Sequence, residues 1–281
     1  MKILLSTILI FTFSSLFATM NSQHVSAMTY NLRFDNPGDV ENRWDNRKDH
    51  AAGLLRFYEP GIIGTQEALK HQLDYLNNHL EEYTYVGVAR EDGAREGEYS
   101  AIFIDTTRFK IDKEQTFWLS ETPEIPSTGW DANIKRVCTF ALLENRESGN
   151  KFYVFNAHLD HRGEKSRMQS VKLIWKKVEE RTGSSKYPVI VMGDLNAEPG
   201  DDPIAFLNQH LNDAYKISEE PPYGPVGTFN SFDVEKPAER RIDYIFVSDE
   251  FSVKKYASIS DSKNSRYPSD HFPVYAELDL E

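Results

Sequence analysis

The residues best suited to chemistry follow an apolar run in the second half of the chain. The run 189–192 leads into Gly193 and then into Asp194-Leu195-Asn196. Because side chains two positions apart in a strand share a face, Asp194 and Asn196 can project together from a rigid strand end. An EF-hand calcium loop does not fit, since its sixth position would be Pro199 rather than glycine. A simple Asx turn needs only one such residue, so the arrangement indicates a functional site.

Two further polar groups end strand-like runs earlier in the chain. Asn31 and Arg33 stand two residues apart at the end of the first run, and Glu67 follows the run 61–66. Taken alone, Asn31 fits a turn. Glu67 alone fits the first turn of a helix, where a carboxylate suits the helix dipole. These residues become informative only in combination with the other acids of the chain.

Two acids lie inside or next to apolar strand-like runs near the C-terminus. Asp243 begins Asp-Tyr-Ile-Phe-Val, and Asp270-His271 precedes Phe-Pro-Val. A charge in such a position is costly unless it is paired or bound to a metal. Adjacent residues in an extended chain point in different directions. One of these two residues can therefore bind a metal while the other faces a substrate.

A histidine cluster offers an alternative metal site. The sequence Asn156-Ala-His158-Leu-Asp160-His161 resembles the His-x-His-x-Asp-His pattern of metallo-β-lactamase-like zinc hydrolases, with asparagine in place of the first histidine. Zinc needs three or four such ligands. Only two histidines further along the chain, His210 and His271, could complete the set. This zinc site stays open as a weaker alternative.

Taken together, the strand ends supply mostly oxygen ligands. Carboxylate and amide oxygens suit Mg²⁺ or Mn²⁺. Such an ion activates a phosphoryl centre by neutralising charge and orienting water. The residue set therefore predicts a metal-dependent reaction at phosphorus.

The elements that must position these residues are mainly strands. The strand-like runs cover 24–32, 61–65, 84–89, 99–105, 136–143, 151–157, 187–192, 241–247 and 272–278. Apolar residues with helical spacing occur in 51–58, 69–80 and 164–181. Strands outnumber helices and do not alternate regularly with them. We therefore predict an α+β protein with two packed sheets and helices outside.

The charge composition of the chain limits the class of substrate. The 281 residues include 44 acidic and 32 basic ones, so the formal net charge is −12. Proteins that hold a long phosphate backbone usually carry a basic face. Nucleic acid is therefore possible but disfavoured, and a small phosphoester is the expected partner. The single cysteine, Cys138, lies in an apolar run and is interpreted as structural rather than nucleophilic.

The N-terminus has the order of a secretory signal peptide. Lys2 precedes the apolar run 3–17, and small or polar residues follow. The run is short for a membrane span, which favours cleavage over an uncleaved anchor helix. We expect a signal peptide at 1–22, one catalytic domain at 23–281, and export to the periplasm or the exterior, with no transmembrane segment after cleavage.

Five ordered motifs resemble those of the endonuclease/exonuclease/phosphatase superfamily, the DNase I-like fold. The most specific are Gly-Asp-Leu-Asn-Ala-Glu-Pro at 193–199 and Ser-Asp-His-Phe-Pro-Val at 269–274. The resemblance covers nearly all of 23–281. It implies a four-layer α/β/β/α sandwich with two mostly antiparallel sheets, and a phosphomonoester or phosphodiester as substrate.

The resemblance also implies roles for the metal ligands and for the attacking water. Glu67 would be the main metal carboxylate, with Asn31 and Asp270 nearby. Asp194 would orient and deprotonate water, and Asn196 would help to hold the phosphate.

The two histidines would act on opposite sides of the phosphate. His271, oriented by Asp243, would donate to a phosphate oxygen. His158 would protonate the leaving group, with Glu98 as its acidic partner. A carboxylate behind a histidine favours the cationic form that such a role needs.

The chain departs from nuclease relatives at two places. Arg33 stands where several repair nucleases carry an acid, which favours one metal over two and offers a phosphate contact. No long basic, aromatic loop is present for insertion into a DNA groove. The mixed segments 36–48 and 116–130 could instead line a sugar pocket, although packing explains Trp118 and Trp130 equally well. Arg136 could reach the pocket or lie at the surface.

These observations leave four functions open. The first is a secreted, Mg²⁺-dependent (or Mn²⁺-dependent) phosphoesterase that uses in-line attack of water. The second is an extracellular nuclease with the same chemistry. The third is a non-catalytic metal-binding relative. The fourth is a zinc hydrolase.

Overall fold

The computed structural model describes residues 23–183 and 187–280. The predicted signal peptide lies outside the described residues. The described strands are β1 (Gln23–Asn31), β2 (Ile62–Gln66), β3 (Tyr83–Val86), β4 (Ile102–Asp105), β5 (Phe109–Trp118), β6 (Val137–Asn145), β7 (Lys151–His158), β8 (Val189–Asp194), β9 (Asn212–Asp213), β10 (Asp243–Val247), β11 (Phe251–Ser258) and β12 (Val274–Leu280). The helices are α1 (Trp44–Tyr58), α2 (Lys70–His79), α3 (Glu164–Thr182), α4 (Asp202–Leu207), α5 (Ala214–Ile217) and a 3-10 helix, Pro37–Asn42.

The strands form two sheets of six. The first has the order β11-β12-β1-β2-β4-β3, and the second has the order β5-β6-β7-β8-β10-β9. All neighbouring strands are antiparallel except one pair in the middle of each sheet, β1 with β2 and β7 with β8. The predicted α+β class with mostly antiparallel sheets is confirmed.

The two parallel pairs determine where polar side chains gather. Parallel neighbours end at the same edge of a sheet. In the first sheet the last matched residues are Asn31 and Gln66, and in the second they are His158 and Asp194. Because the sheets pack face to face, these two edges meet at one rim of the sandwich.

Three apolar clusters hold the layers together. The central cluster joins the inner faces of the two sheets, with Ile62 and Val274 on one side and Val154 and Ile190 on the other. A second cluster packs α3 and α4 on the outside of the second sheet. A third packs α1 and α2 on the outside of the first. The four-layer arrangement that the sequence predicted is therefore present.

Asn156 ties the two sheets together below the rim. This wholly buried side chain accepts a hydrogen bond from Gln66 Nε2 at 2.7 Å and donates to the carbonyl oxygens of Thr65 and Ala101 at 2.9 and 2.8 Å. A Cβ on Gly64 would lie 2.7 Å from Asn156 Oδ1, so the sheets approach closely here. Asn156 is thus a structural link and not a degenerate zinc ligand.

The structure adds elements that the sequence did not predict. Strands β5 and β11 lie at the outer edges of the two sheets, and both contain a register shift that breaks the alternation of apolar residues. Edge strands face solvent on one side and so carry many polar residues. The segment 36–48, expected as a pocket loop, forms the 3-10 helix and the first turn of α1.

Candidate active site

An open cleft lies at the rim where the two parallel pairs end. Its volume is about 660 Å³. Most of the predicted site residues line it: Arg33, Glu67, Glu98, His158, Asp194, Asn196, Asp270 and His271. Asn31 and Asp243 lie directly behind this lining and are hydrogen-bonded to it. The structure thus brings all ten predicted residues to one place.

Unusual backbone conformations position several of these side chains in the cleft. Arg33, Glu67 and Asn196 have φ values of 54°, 63° and 46°. Non-glycine residues are rare in this left-handed region, and such conformations concentrate at functional sites. Gly193, immediately before Asp194, has φ 145°, and a Cβ there would lie 1.9 Å from the carbonyl oxygen of Ala157. Only glycine fits this turn.

Asn31 connects the acids of the two sheets. Its side chain is fully buried, and its Nδ2 donates to Glu67 Oε1 at 3.1 Å and to Asp194 Oδ2 at 3.0 Å. Its Oδ1 accepts from the backbone N–H of Arg33 at 2.9 Å. One amide therefore fixes the spacing between carboxylates that belong to different sheets.

His271 is held in its cationic form. Its Nδ1 lies 2.8 Å from Asp243 Oδ2, which also accepts from Thr228 Oγ1 at 2.6 Å. Burial lowers the pKa of His271, but the negative charges of Asp243, Asp194 and Asp270 outweigh burial and raise it to about 10. Its Nε2 lies 3.8 Å from Asp194 Oδ2. A proton donor therefore faces the acids of the cleft.

Burial and nearby negative charges raise the pKa values of two acids in the cleft. Burial and the nearby Asp243 raise the pKa of Asp194 to about 7, although His271 opposes the rise. Burial raises the pKa of Asp270 to about 6, with Glu67 adding to the rise. Acids crowded in this way keep protons unless a cation joins them.

The donor set fits a hard divalent cation. Ligand atoms of Glu67, His158 and Asp194 lie within 4.8 Å of one another, as do those of Asp194, Asp243 and His271. The second group is already joined by the hydrogen bond between His271 and Asp243. Asp243 Oδ1 has no hydrogen-bond partner among the described residues. The group of Glu67, His158 and Asp194 is the one available to a metal, and the predicted ligand Asp270 belongs to neither group in the described part of the chain.

Arg33 lies between two of the acids. Its guanidinium forms a two-point pair with Asp39 at 2.9 and 3.0 Å, and lies 3.8 Å from Glu67 and 3.7 Å from Asp270. The side chain is one-quarter exposed and lines the cleft. It supplies positive charge where the sequence comparison with nucleases expects an acid.

His158 differs from its expected arrangement. Its Nε2 lies 3.1 Å from Asn196 Nδ2 and 3.3 Å from Asp194 Oδ2. Burial, together with the positive charges of Arg136 and Arg90, holds its pKa well below the ordinary value. The imidazole is therefore neutral, and the proposed transfer of a proton to the leaving group stays a prediction.

Glu98 reaches the cleft but pairs elsewhere. Its carboxylate accepts from Arg90 Nη1 at 2.6 Å, and within the described chain no hydrogen bond joins it to His158. Burial raises its pKa to about 7. The expected His158–Glu98 pair is thus adjacent in space without being bonded.

The zinc interpretation finds no support in the geometry. Asp160 accepts from the backbone N–H groups of Arg162, Gly163 and Asn133 at 3.0, 2.8 and 3.2 Å. It is occupied as a loop anchor. In the ranges 23–183 and 187–280, Asp160 and His161 join no candidate metal cluster.

Other residues behave as packing groups. Trp118 is 5% exposed and donates to the carbonyl oxygen of Arg90, so packing is the correct interpretation for it. Neither Trp118 nor Trp130 lines the cleft. Cys138 is fully buried, and burial raises the pKa of its thiol, as a structural role requires.

Sequence reasoning missed part of the cleft wall. Phe34, Ile134, Phe229, Ser231, Phe232, Arg240 and Ile242 also line it, whereas Asp39 comes from the segment 36–48 that was expected at the pocket and His161 from the alternative zinc motif. Phe229 and Phe232 come from a loop whose backbone N–H groups at Asn230 and Ser231 donate to the carbonyl oxygen of Asp270. These residues carry no local pattern, and only the fold brings them beside His271.

This fold, with acids, amides and a cationic imidazole at one rim, defines the class of DNase I-like phosphoesterases. The chain belongs to the Endonuclease/Exonuclease/phosphatase family, whose model matches residues 28–271. Members of this family hydrolyse phosphoesters, as phosphatases or as nucleases, and typically depend on a divalent metal.

Several solved structures are similar over almost the whole chain. A family protein from Bacteroides thetaiotaomicron is 38% identical, with a TM-score of 0.89 over 92% of this chain and 99% of that one. A mannosyl-6-phosphatase from the same species is 39% identical, with a TM-score of 0.87 over 90% and 99% of the two chains. Rat nocturnin is 26% identical over 82% of this chain, which spans only 56% of nocturnin's length.

Within residues 23–183 and 187–280, no helix combines the length and the apolar character that crossing a membrane requires.

Proposed function

We propose that this protein is an exported, divalent-metal-dependent hydrolase of small phosphoesters, with phosphorylated sugars as the substrate class. The observation that carries the proposal is the convergence of Asn31, Glu67, Asp194, Asp270 and His271 in one cleft. The sugar assignment is supported by similarity to the mannosyl-6-phosphatase. Export is supported by the signal-like sequence at 1–22.

Asp194 is suited to activate the attacking water. General bases work best when their pKa lies near the operating pH, and the pKa of Asp194 is raised to about 7. Asn31 holds its Oδ2 by a hydrogen bond. Asp194 would accept the proton that water releases as its oxygen bonds to phosphorus.

His271 is suited to stabilise the developing negative charge. Its cationic ring donates from Nε2 while Asp243 fixes the other nitrogen at 2.8 Å. A preorganised donor of this kind commonly contributes ~10²–10³-fold to the rate. Asn196 Nδ2 donates to the carbonyl oxygen of Leu159 at 3.0 Å and lies 3.1 Å from His158 Nε2, so a contact with the phosphate would replace one of these bonds.

Glu67 would be the main metal carboxylate, with Asp194 and His158 within ligand distance of it and Asn31 hydrogen-bonded to it, whereas Asp270 lines the same cleft without joining this group. When bound, Mg²⁺ or Mn²⁺ neutralises phosphoryl oxygens and orients the reacting groups. The raised pKa of Asp270 is consistent with a carboxylate that needs a cation to ionise fully.

A nuclease function is the second candidate. A CCR4-Not complex 3'-5'-exoribonuclease subunit from Mycosarcoma maydis is 23% identical over 94% of this chain, which spans 51% of that protein. The net charge of −12 counts against a long polyanionic substrate.

The test measures phosphate release from mannose 6-phosphate, and degradation of single-stranded RNA and DNA at low and high salt. We expect Mg²⁺-dependent phosphate release that EDTA abolishes and added Mg²⁺ restores. Asp194→Asn should lower kcat by about 10³-fold. Glu179→Gln, an exposed residue on α3, is the matched control and should leave activity unchanged.

Other results of these assays would favour one of the alternative functions or contradict export. Degradation of nucleic acid without release from phosphorylated sugars favours the nuclease. Metal binding without turnover on a broad phosphoester panel favours a non-catalytic role. Retention of the full-length chain in the cytoplasm, shown by fractionation and N-terminal sequencing, would contradict export.

A further inference from the structure

Arg136 is a buried cation on the cleft wall that the roles above leave unused. It immediately precedes β6, is 4% exposed, and lines the same cleft as Asp194. With Glu98 and His158 it also encloses a small recess at the side of the cleft. Arg136 therefore stands next to the expected leaving-group side of the site.

The hydrogen bonds of Arg136 are incomplete. Its Nη2 lies 3.1 Å from His161 Nδ1. Its Nε is 3.7 Å from Asp160 Oδ2, too far for a hydrogen bond, and has no hydrogen-bond partner in the described part of the chain. A buried N–H without an acceptor costs free energy. The guanidinium of Arg136 therefore keeps donor capacity that the described residues do not use, on a side chain that lines the cleft.

The acids near Arg136 are engaged with other partners. Glu98 accepts from Arg90 at 2.6 Å. Asp160 accepts from three backbone N–H groups and thereby anchors its own loop. Arg136 lies in ion-pair range of Asp160 at 3.7 Å, but neither carboxylate takes up its N–H groups as hydrogen-bond acceptor among the described residues.

His161 extends the same donor surface. A guanidinium can only donate, so Nδ1 of His161 must accept and its Nε2 must carry the proton. The His161 side chain is exposed and lines the cleft. Arg136 and His161 together thus offer N–H donors, and the neighbouring Glu98 can accept from O–H groups.

We propose that Arg136 and His161 recognise the alcohol that hydrolysis releases, by donating hydrogen bonds to its hydroxyl oxygens. The inference rests on the proposed function and specifies its substrate: a phosphoester of a polyhydroxylated alcohol such as a hexose. Donors beside an acceptor match hydroxyl groups, which need both. The phosphate itself is left to His271 and the metal.

The test compares two phosphomonoesters that differ in the leaving group. Mannose 6-phosphate carries hydroxyls, and phenyl phosphate carries none. We expect Arg136→Gln to lower kcat/KM for mannose 6-phosphate by about 10- to 100-fold and to change that for phenyl phosphate by less than about threefold. His161→Gln, at an exposed position, should show a smaller loss with the same selectivity.

Product inhibition separates the two parts of the substrate. Inorganic phosphate should inhibit wild type and Arg136→Gln equally, whereas inhibition by free mannose should weaken in the variant. Equal losses on both substrates, or no loss on either, would overturn the proposal. If Arg136→Gln unfolds, as judged by its Tm, Arg136→Lys and His161→Gln carry the same comparison.

The two proposals can fail separately. A wild-type chain that hydrolyses no phosphoester in Mg²⁺ contradicts the proposed function. Calorimetric titration with free mannose then still examines the recognition site: binding lost in Arg136→Gln supports it, and equal binding or no binding contradicts it.

Discussion

Replacing Asp243 by asparagine should change the charge of His271 with little change in shape. The amide keeps the size of the carboxylate and can still accept from Thr228 Oγ1, which bonds Asp243 at 2.6 Å. The pKa of His271 is about 10, against an ordinary 6.5, and burial acts to lower it. Without Asp243 the pKa of His271 should fall, although Asp194 and Asp270 still act to raise it. The fraction of His271 that is cationic between neutral pH and pH 10 should therefore decrease.

The kinetic consequence is a shifted pH profile. If His271 acts as a cation, wild-type kcat/KM should stay high until the pH approaches 10, whereas Asp243→Asn should lose activity at a lower pH. At pH 7.5 we expect a loss of about 10- to 1000-fold, because a charged donor at the phosphate is lost. The assay is phosphate release between pH 5 and 10 in Mg²⁺.

The stability of the fold should follow the same titration. A histidine whose folded pKa is raised stabilises the protein below pH 6.5, and this contribution disappears as the pH rises through about 10. The difference in Tm between wild type and Asp243→Asn should therefore be largest near pH 6 and shrink toward pH 10. An unchanged rate profile together with a pH-independent Tm difference would refute the charge assignment.

Three further predictions concern the metal, the charge at the rim and the turn. The increase in Tm on adding Mg²⁺ or Mn²⁺ should grow from pH 5 to pH 8 in thermal shift assays, because Asp194 and Asp270, with pKa values of about 7 and 6, release their protons over this range. Arg33→Gln should bind metal several-fold more tightly by calorimetry and raise KM, since it removes a cation beside the acids; weaker metal binding would contradict this. Gly193→Ala should destabilise the fold by about 3 kcal/mol or more in urea, because its Cβ would meet the carbonyl of Ala157; a change below 1 kcal/mol would contradict the fitted turn.

The sequence was most informative where polar residues interrupt apolar strands. Asp194 and Asn196 follow a glycine and a buried run, and Asp270-His271 precedes another. Burial of a charged group is costly, so such positions stand out without any knowledge of the fold. The structure places all of them in one cleft, as the sequence predicted.

Edge strands and wall residues could not be obtained in this way. Strand β5 reads Phe-Lys-Ile-Asp-Lys-Glu-Gln-Thr-Phe-Trp, and its polar centre hides its pairing with β6. Phe229 and Phe232 become site residues only because their loop bonds to the backbone of Asp270. Such contacts join residues far apart in sequence, and local patterns contain no information about them.

The sequence also could not determine which partner each charged residue of the cleft pairs with. Glu98 was expected beside His158, and it does line the cleft, but Arg90 takes its carboxylate. The competing cation lies only eight residues away, and the strand pattern gives no reason to prefer one partner over the other. The same applies to Arg136, which is buried and contacts His161 in the loop that Asp160 anchors.

Because Asn31 is hydrogen-bonded to acids from both sheets, catalytic activity should depend on the relative position of the two sheets. This amide reaches Glu67 in one half of the sandwich and Asp194 in the other, so sliding of the halves by about an ångström would separate the reacting groups. Low concentrations of denaturant should then abolish catalytic activity while the circular dichroism spectrum is still that of the native protein. Substitutions between the two sheets, such as those at Asn156, should lower turnover before they lower the stability of the fold.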